Sequence, residues 1–319
     1  MVRRKISDEG NRVPVAIAKG ADRSFTIGTV IQSLGEIDCQ GKDVYLKASF
    51  NSADPYPAST HPEALATVVR ILRERECRKV ILVERSGMGR TREVWQRLGI
   101  SDLAKELDLT LIALDDLAAD AWRREELPGS HWKEGVEVPR FLQEGTCLVQ
   151  ICNLKTHRFG GHFSASLKNS IGLLPKYSPT NTSHNYMTEL HDSLDQRLMI
   201  AEVNQIYSPS LVVMDASQVF IDGGPEAGNI ASPEVALASR DRVAIDAAGA
   251  ALLRIHGAGP PVGTTPVFEQ EQIKRAVELN LGAASGEEIH FITSDRASAN
   301  LAFQLRAILS QKSAEEKKS

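Results

Sequence analysis

The chain has 319 residues, enough for two average domains or one large α/β unit, with 42% hydrophobic and 24% charged residues. That composition excludes collagen-like and disordered chains, and no apolar stretch reaches the ~20 residues of a membrane-spanning helix. With 37 Lys+Arg against 41 Asp+Glu, a net charge of −4 and only 5% aromatics, no basic or base-stacking surface for nucleic acid is expected.

Taken in chain order, short β-rich runs alternate with helical patterns. Val13–Ala18 reads as a strand, Phe25–Leu34 as a helix and Asp43–Phe50 as a second strand. After the turn-rich NSADPYPAS, Thr60 and Glu63 have capping-box spacing around Pro62. Leu65, Val68, Val69 and Leu72 then recur at helical period. Lys79–Val83 is a continuous apolar run, which predicts a strand buried on both faces. A Gly-rich turn from Ser86 to Arg90 leads to helices around Arg92–Leu98 and Asp102–Leu107, and Leu109–Leu114 is a strand. Residues 118–145 are charged and irregular, and are expected to form a lobe junction or an excursion. Cys147–Leu154 is a strand, Phe163–Leu174 a helix, and Met187–Ile206 one long amphipathic helix. Leu211–Ala216, Glu234–Ala238 and Ile289–Ile292 read as strands. Arg242–His256, Phe268–Asn280 and Ala297–Leu309 read as helices.

This alternation predicts an α/β fold: a mostly parallel sheet of βαβ units flanked by helices, with two lobes around a cleft as an option. The domain is expected over residues 11–310, its core over 43–256, and a flexible tail over 311–319. Cys39, Cys77, Cys147 and Cys152 are scattered, with no C-x-x-C pair, so no intrinsic iron–sulfur or zinc-ribbon motif is expected. Cys147 and Cys152 should point to opposite faces of their strand. The charged start, in which Arg3-Arg4 is followed by no long apolar segment, points to a cytoplasmic protein.

Open parallel sheets bind ligands beyond the carboxyl ends of their strands, so residues just after each strand are the candidates. Four loops qualify. They carry Lys47, Asn51 and His61; Glu84 through Thr91; Asn153, Lys155, His157 and Gly160-Gly161; and Asp215 with Gly223-Gly224. The third is the richest, because Lys155-Thr156-His157 brings a cation and a titratable imidazole straight off a buried strand, with Lys168 and Asn169 close behind. A helix beginning after Gly161 would also turn its N–H groups toward an anion. The expected roles are catalysis by His157, Lys155 and Lys168, and substrate binding by Lys47, Asn51, His61, Arg90, Asn153, Asn169, Asp215 and Gly224. His184 is the candidate metal ligand.

Six blocks carry a family resemblance: Lys47 with Asn51, Thr60-His61-Pro62, Lys155-Thr156-His157, Leu167-Lys168-Asn169 with Gly172, Gly224-Pro225 with Gly228, and Arg242 through Ala247. In this order they resemble the domain of unknown function 362 family, over about Asp43 to His256. Where that family usually has Lys-Pro-Asn, this chain has Lys47-Ala48-Ser49. Many members carry an appended ferredoxin-like cysteine cluster, which is lacking here. A second resemblance is to the nickel-pincer lactate racemase family. There a strand-end histidine, a glycine-rich stretch, a cofactor-anchoring lysine and a nickel-binding histidine follow one another as His157, Gly160-Gly161, Lys168 and His184 do here. Gly87 to Arg90 is similar to that family's glycine-and-arginine turn, though the histidine found there is absent and Ala165-Ser166 replace its double glycine. The resemblances imply a metal or pincer-type cofactor as an option, the cofactor itself being unknown from the residues.

The function expected is that of an enzyme binding a small carboxylate-type anion with Lys/His acid–base chemistry, racemase/epimerase-like or redox-related. The alternatives are a redox or cofactor-handling accessory to an iron–sulfur partner and a non-catalytic small-molecule binder. The expected partner is a small anion, with no nucleic acid and no membrane; the oligomeric state, a homo-oligomer included, is left open.

Overall fold

The computed structural model describes residues 12–311; Arg3-Arg4 and residues 312–319 of the expected tail lie outside them. In chain order the elements are β1 (Val13–Lys19), α1 (Arg23–Ser33), β2 (Asp43–Lys47), α2 (Pro62–Glu74), β3 (Lys79–Glu84), α3 (Thr91–Arg97), α4 (Ile100–Glu106) and β4 (Thr110–Ala113). A small pair, β5 (Trp122–Glu125) and β6 (Val136–Pro139), precedes β7 (Cys147–His157), β8 (His162–Ser164) and α5 (Ser166–Asn169). Then follow α6 (Tyr186–Asp192), α7 (Gln196–Glu202), β9 (Leu211–Phe220), β10 (Ile230–Ala231), β11 (Val235–Ser239), α8 (Arg242–Ile255), α9 (Glu271–Glu278), β12 (Ile289–Thr293) and α10 (Arg296–Leu309).

The main sheet runs β12-β1-β11-β9-β7-β2-β3-β4. Among the described strands of that order, β11 runs antiparallel to its neighbours β1 and β9, and the remaining pairings are parallel. The carboxyl ends of β2, β3, β7 and β9 therefore share one rim, which is what brings four loops distant in sequence together. Side chains alternate across the sheet. Leu148, Cys152 and Leu154 of β7 enter one core with α8 and the β5–β6 pair, while Cys147, Val149 and Ile151 enter the other with α1 and α2. The two cysteines thus face opposite sides, as period-two geometry requires. Residues 118–145 form the β5–β6 excursion, whose Trp122, Trp132, Val136 and Val138 are buried in the first core.

Three local expectations are corrected. Helix α2 is capped by His61, not Thr60: His61 Nδ1 accepts from Glu63 N at 3.2 Å, because Pro62 occupies the first helical position and lacks an N–H. Thr60 instead accepts from Ser49 N at 2.9 Å. Phe163–Leu174 is not one helix. Gly160-Gly161 let the chain reverse, Phe163 pairs with Thr156 in a hairpin, and a short helix starts only at Ser166, running on into a 3-10 turn over Ser170–Leu173. Its start is fixed by Asp246 of α8, whose carboxylate accepts from Ser166 N at 2.8 Å and Leu167 N at 2.9 Å. Those N–H groups are consequently not free for a ligand anion. The long helix over Met187–Ile206 is broken into α6 and α7. Ser193 Oγ accepts from Asp195 N at 3.0 Å, a local bond that competes with helix, and Leu194, expected in register with the core, is 91% exposed.

Candidate functional site

At the shared rim lies a cavity of about 330 Å³, lined in part by Lys155, His157, Lys168, Arg85, Glu226 and His191. Asn153, at the last regular register position between β7 and β9, builds its roof. Its amide donates to Pro57 O at 2.9 Å and Ser59 O at 2.8 Å, and its carbonyl accepts from Thr60 Oγ1 at 3.2 Å. The expected substrate-binding role of Asn153 is thereby replaced by a clamp on the 51–60 loop. Asn51 is likewise occupied, since its Oδ1 accepts from Gly87 N at 3.0 Å, although it still lines the cavity.

Lys47 is corrected most clearly. It was expected to bind the anion, yet its buried Nζ donates to Glu84 at 2.9 Å, to Asn169 Oδ1 at 2.8 Å and to Ala48 O. Three acceptors require three N–H bonds, so the amine is an ammonium. Glu84 accepts from Lys47, Phe50 N and Arg85 N, all donors, so it is a carboxylate. Burial disfavours both charges, and each partner opposes that for the other. Gly172 is required beside this pair. A Cβ there would lie 2.5 Å from Glu84 Oε1 and 2.7 Å from Lys47 Cε. Asn169 is spent on the same knot.

Lys155 and Lys168 are different. Lys155 Nζ is buried and reaches only the Ala58 carbonyl; burial, then the Lys168 charge, lowers it from 10.5 to about 7. Lys168, opening on the cavity, makes no hydrogen bond or ion pair to any described residue. Burial, then the Arg85 charge, lowers it to about 8. Arg85 adds a fixed charge: burial brings it down only to about 10, and its bonds go to the carbonyls of Leu174 and Ile171 and to Met187 Sδ. His157 is buried with Nδ1 unpartnered, and burial followed by the Lys168 and Lys155 charges holds it far below the usual imidazole range. That direction disfavours the protonated ring, and His157 lines the cavity with the two lysines. Gly161 packs between the two: a Cβ there would stand 2.9 Å from Lys168 Cε and 3.1 Å from His157 Nδ1.

Several expected residues lie elsewhere. Asp215 is engaged by Arg23 Nε at 2.9 Å, Tyr56 Oη at 2.9 Å and Ser217 Oγ at 2.8 Å, beside a second cleft that His61 also lines. Arg90 is exposed and precedes α3 without a side-chain capping bond. Gly224 serves the loop, not the ligand: its carbonyl accepts from Arg158, and a Cβ would fall 2.0 Å from Thr156 O. His184 stacks edge-on against Tyr186, with Nε2 3.0 Å from Glu189. The histidine–lysine–histidine set that a pincer-type cofactor would use is thus not gathered, because His157 and Lys168 meet across Gly161 while His184 is outside the cavity. The donor set does not fit that group. Among the described residues no three His, Cys, Asp or Glu side chains are grouped to hold a metal.

Sequence reasoning placed Glu84 and Arg85 in a strand-end loop but gave them no role, and it missed Glu226 and the place of His191. Glu84 and Arg85 had a usable signal, since a Glu-Arg pair closing a continuous apolar strand must find buried partners. His191, read as solvated, bonds its own helix through Nδ1 to Met187 O at 2.7 Å and still borders the cavity.

A helix-flanked, mostly parallel sheet with a cation-rich cleft at its carboxyl rim defines the class of this α/β protein. The chain belongs to the family described as Domain of unknown function (DUF362), whose model matches residues 44–251, more than half of its length. A solved structure to which it is weakly similar is the lactate racemase apoprotein from Thermoanaerobacterium thermosaccharolyticum, at 14% identity and a TM-score of 0.45. That likeness covers 75% of this chain and 57% of the racemase chain, so it spans little more than half of that protein. No curated protein matches the sequence. No helix among the described residues is long and apolar enough to cross a membrane.

Proposed function

We propose that the cleft belongs to an enzyme that binds a small carboxylate-bearing anion and moves a proton on it. One observation supports this above the others: Lys155 and Lys168 share a cavity, and among the described residues neither has a carboxylate partner. An ammonium held in a cavity without a counter-charge is costly, and an anionic ligand lowers that cost. Lys168 and Arg85 act as counter-charge. Lys155, at about 7, is shared between amine and ammonium near neutrality, which suits a group that accepts and returns a proton. Its neutral amine takes the proton and becomes an ammonium, while the electron pair left on the ligand is stabilised by the Lys168 charge. His157 lines the reacting space as a neutral ring.

The test is incubation in heavy water with a panel of small carboxylates, following deuterium at the carbon beside the carboxylate by mass spectrometry. Exchange in the wild type that is lost in Lys155→Met supports the reading. Thermal stabilisation without exchange assigns a non-catalytic binder, and neither effect with any acid would refute the anion site itself.

A further inference from the structure

The cavity lining carries charges of both signs. Lys155, Lys168 and Arg85 supply cations to its lining, and Glu226 supplies a carboxylate. Glu226 follows the Gly224-Pro225 turn and pairs through Oε1 with Arg158, which also donates to Gly224 O at 2.9 Å. Its second oxygen, Oε2, is buried and has no hydrogen-bond partner among the described residues. A carboxylate oxygen can only accept, so the missing group is a donor. Glu226 and Lys155 line the same cavity of about 330 Å³, so one small molecule can meet both.

Resting on the anion-binding reading above, we infer that the ligand also carries a cationic donor, an amino-acid-type zwitterion whose ammonium is received by Glu226 Oε2. Charge decides for an ammonium over a hydroxyl. Hydrogen bonds between ionised partners are roughly twice as strong as neutral ones, and a buried carboxylate oxygen gains most from a donor of opposite sign. Volume agrees, since about 330 Å³ lies at the small end of ligand pockets, which start at about 300 Å³. Glu226 is therefore the residue that selects amino acids over plain acids, and the cationic groups hold the carboxylate that both share.

Aspartate, malate and succinate test this, being one four-carbon diacid with an ammonium, a hydroxyl or a hydrogen at the same carbon. Calorimetry on the full chain should show aspartate bound at least about tenfold more tightly than succinate, with malate near succinate. Glu226→Gln should bring the three affinities together, and Glu226→Asp, which keeps the charge but withdraws it, should leave an intermediate preference. Lys168→Met should weaken all three alike. Equal binding of aspartate and succinate by the wild type overturns the inference while leaving the anion site standing. So does a preference unchanged in Glu226→Gln, or malate bound as tightly as aspartate. Binding of none of the three overturns the anion reading and this inference with it.

Discussion

Two groups of lysine occupy neighbouring strand ends of the same rim and reach opposite states. Lys47 is enclosed by Glu84, Asn169 and a backbone carbonyl, every donor matched and every acceptor used. Lys155 and Lys168, on the adjoining strand and the segment after it, have one carbonyl between them. The first arrangement fixes loops in place, and the second leaves charge that no carboxylate among the described residues pairs with. Burial alone therefore does not mark a functional lysine. What marks it is burial without the counter-charge that a purely structural lysine acquires.

The largest expected effect lies on the closed side. Glu84→Ala would leave Lys47 and Arg85 buried without their carboxylate, and should cost about 3–5 kcal/mol in denaturant unfolding. On the open side the sign reverses. Lys155→Met removes an uncompensated buried charge and should raise the thermal midpoint at neutral pH by about 5 °C, while carboxylate binding falls by about tenfold or more. If this variant is instead as damaging as Glu84→Ala, the contrast between the two groups is wrong.

The difference should also appear against pH. The unfolded chain keeps these lysine protons to about 10.5, whereas the folded chain releases them near 7 and 8. Across that window the unfolded state binds more protons, so wild-type stability should rise relative to Lys155→Met between about pH 7 and about pH 10.5. Carboxylate affinity should run the other way, declining as pH climbs through the same values and the ammonium groups discharge. A smaller effect is expected from Gly161→Ala, whose Cβ would press on Lys168 Cε at 2.9 Å. Binding should weaken a few-fold with stability changed by about 1 kcal/mol or less, because a flexible side-chain end can yield.

The α/β class and the meeting of distant loops were legible because the buried strands are continuous apolar runs and strand-to-helix alternation forces a common rim. The two missed helix boundaries were not. Asp246 starts α5 from 80 positions downstream, and Ser193 breaks the long helix by a bond that periodicity does not register. The same limit applies to the site. Lys155, Lys168 and His157 can be picked out from sequence as titratable groups off one strand. That Lys47 is silent depends on Glu84, and the place of Asp215 depends on Arg23 and Tyr56, pairings only the folded chain displays.

The most direct test follows the lysine side-chain carbons by NMR across a pH titration, with Lys155 and Lys168 assigned by single substitution. Two resonances titrating near 7 and 8, both moving upward when a carboxylate is added, are what unpaired amines in one cavity predict. Titration of both near 10.5 with no response to any small acid would contradict it.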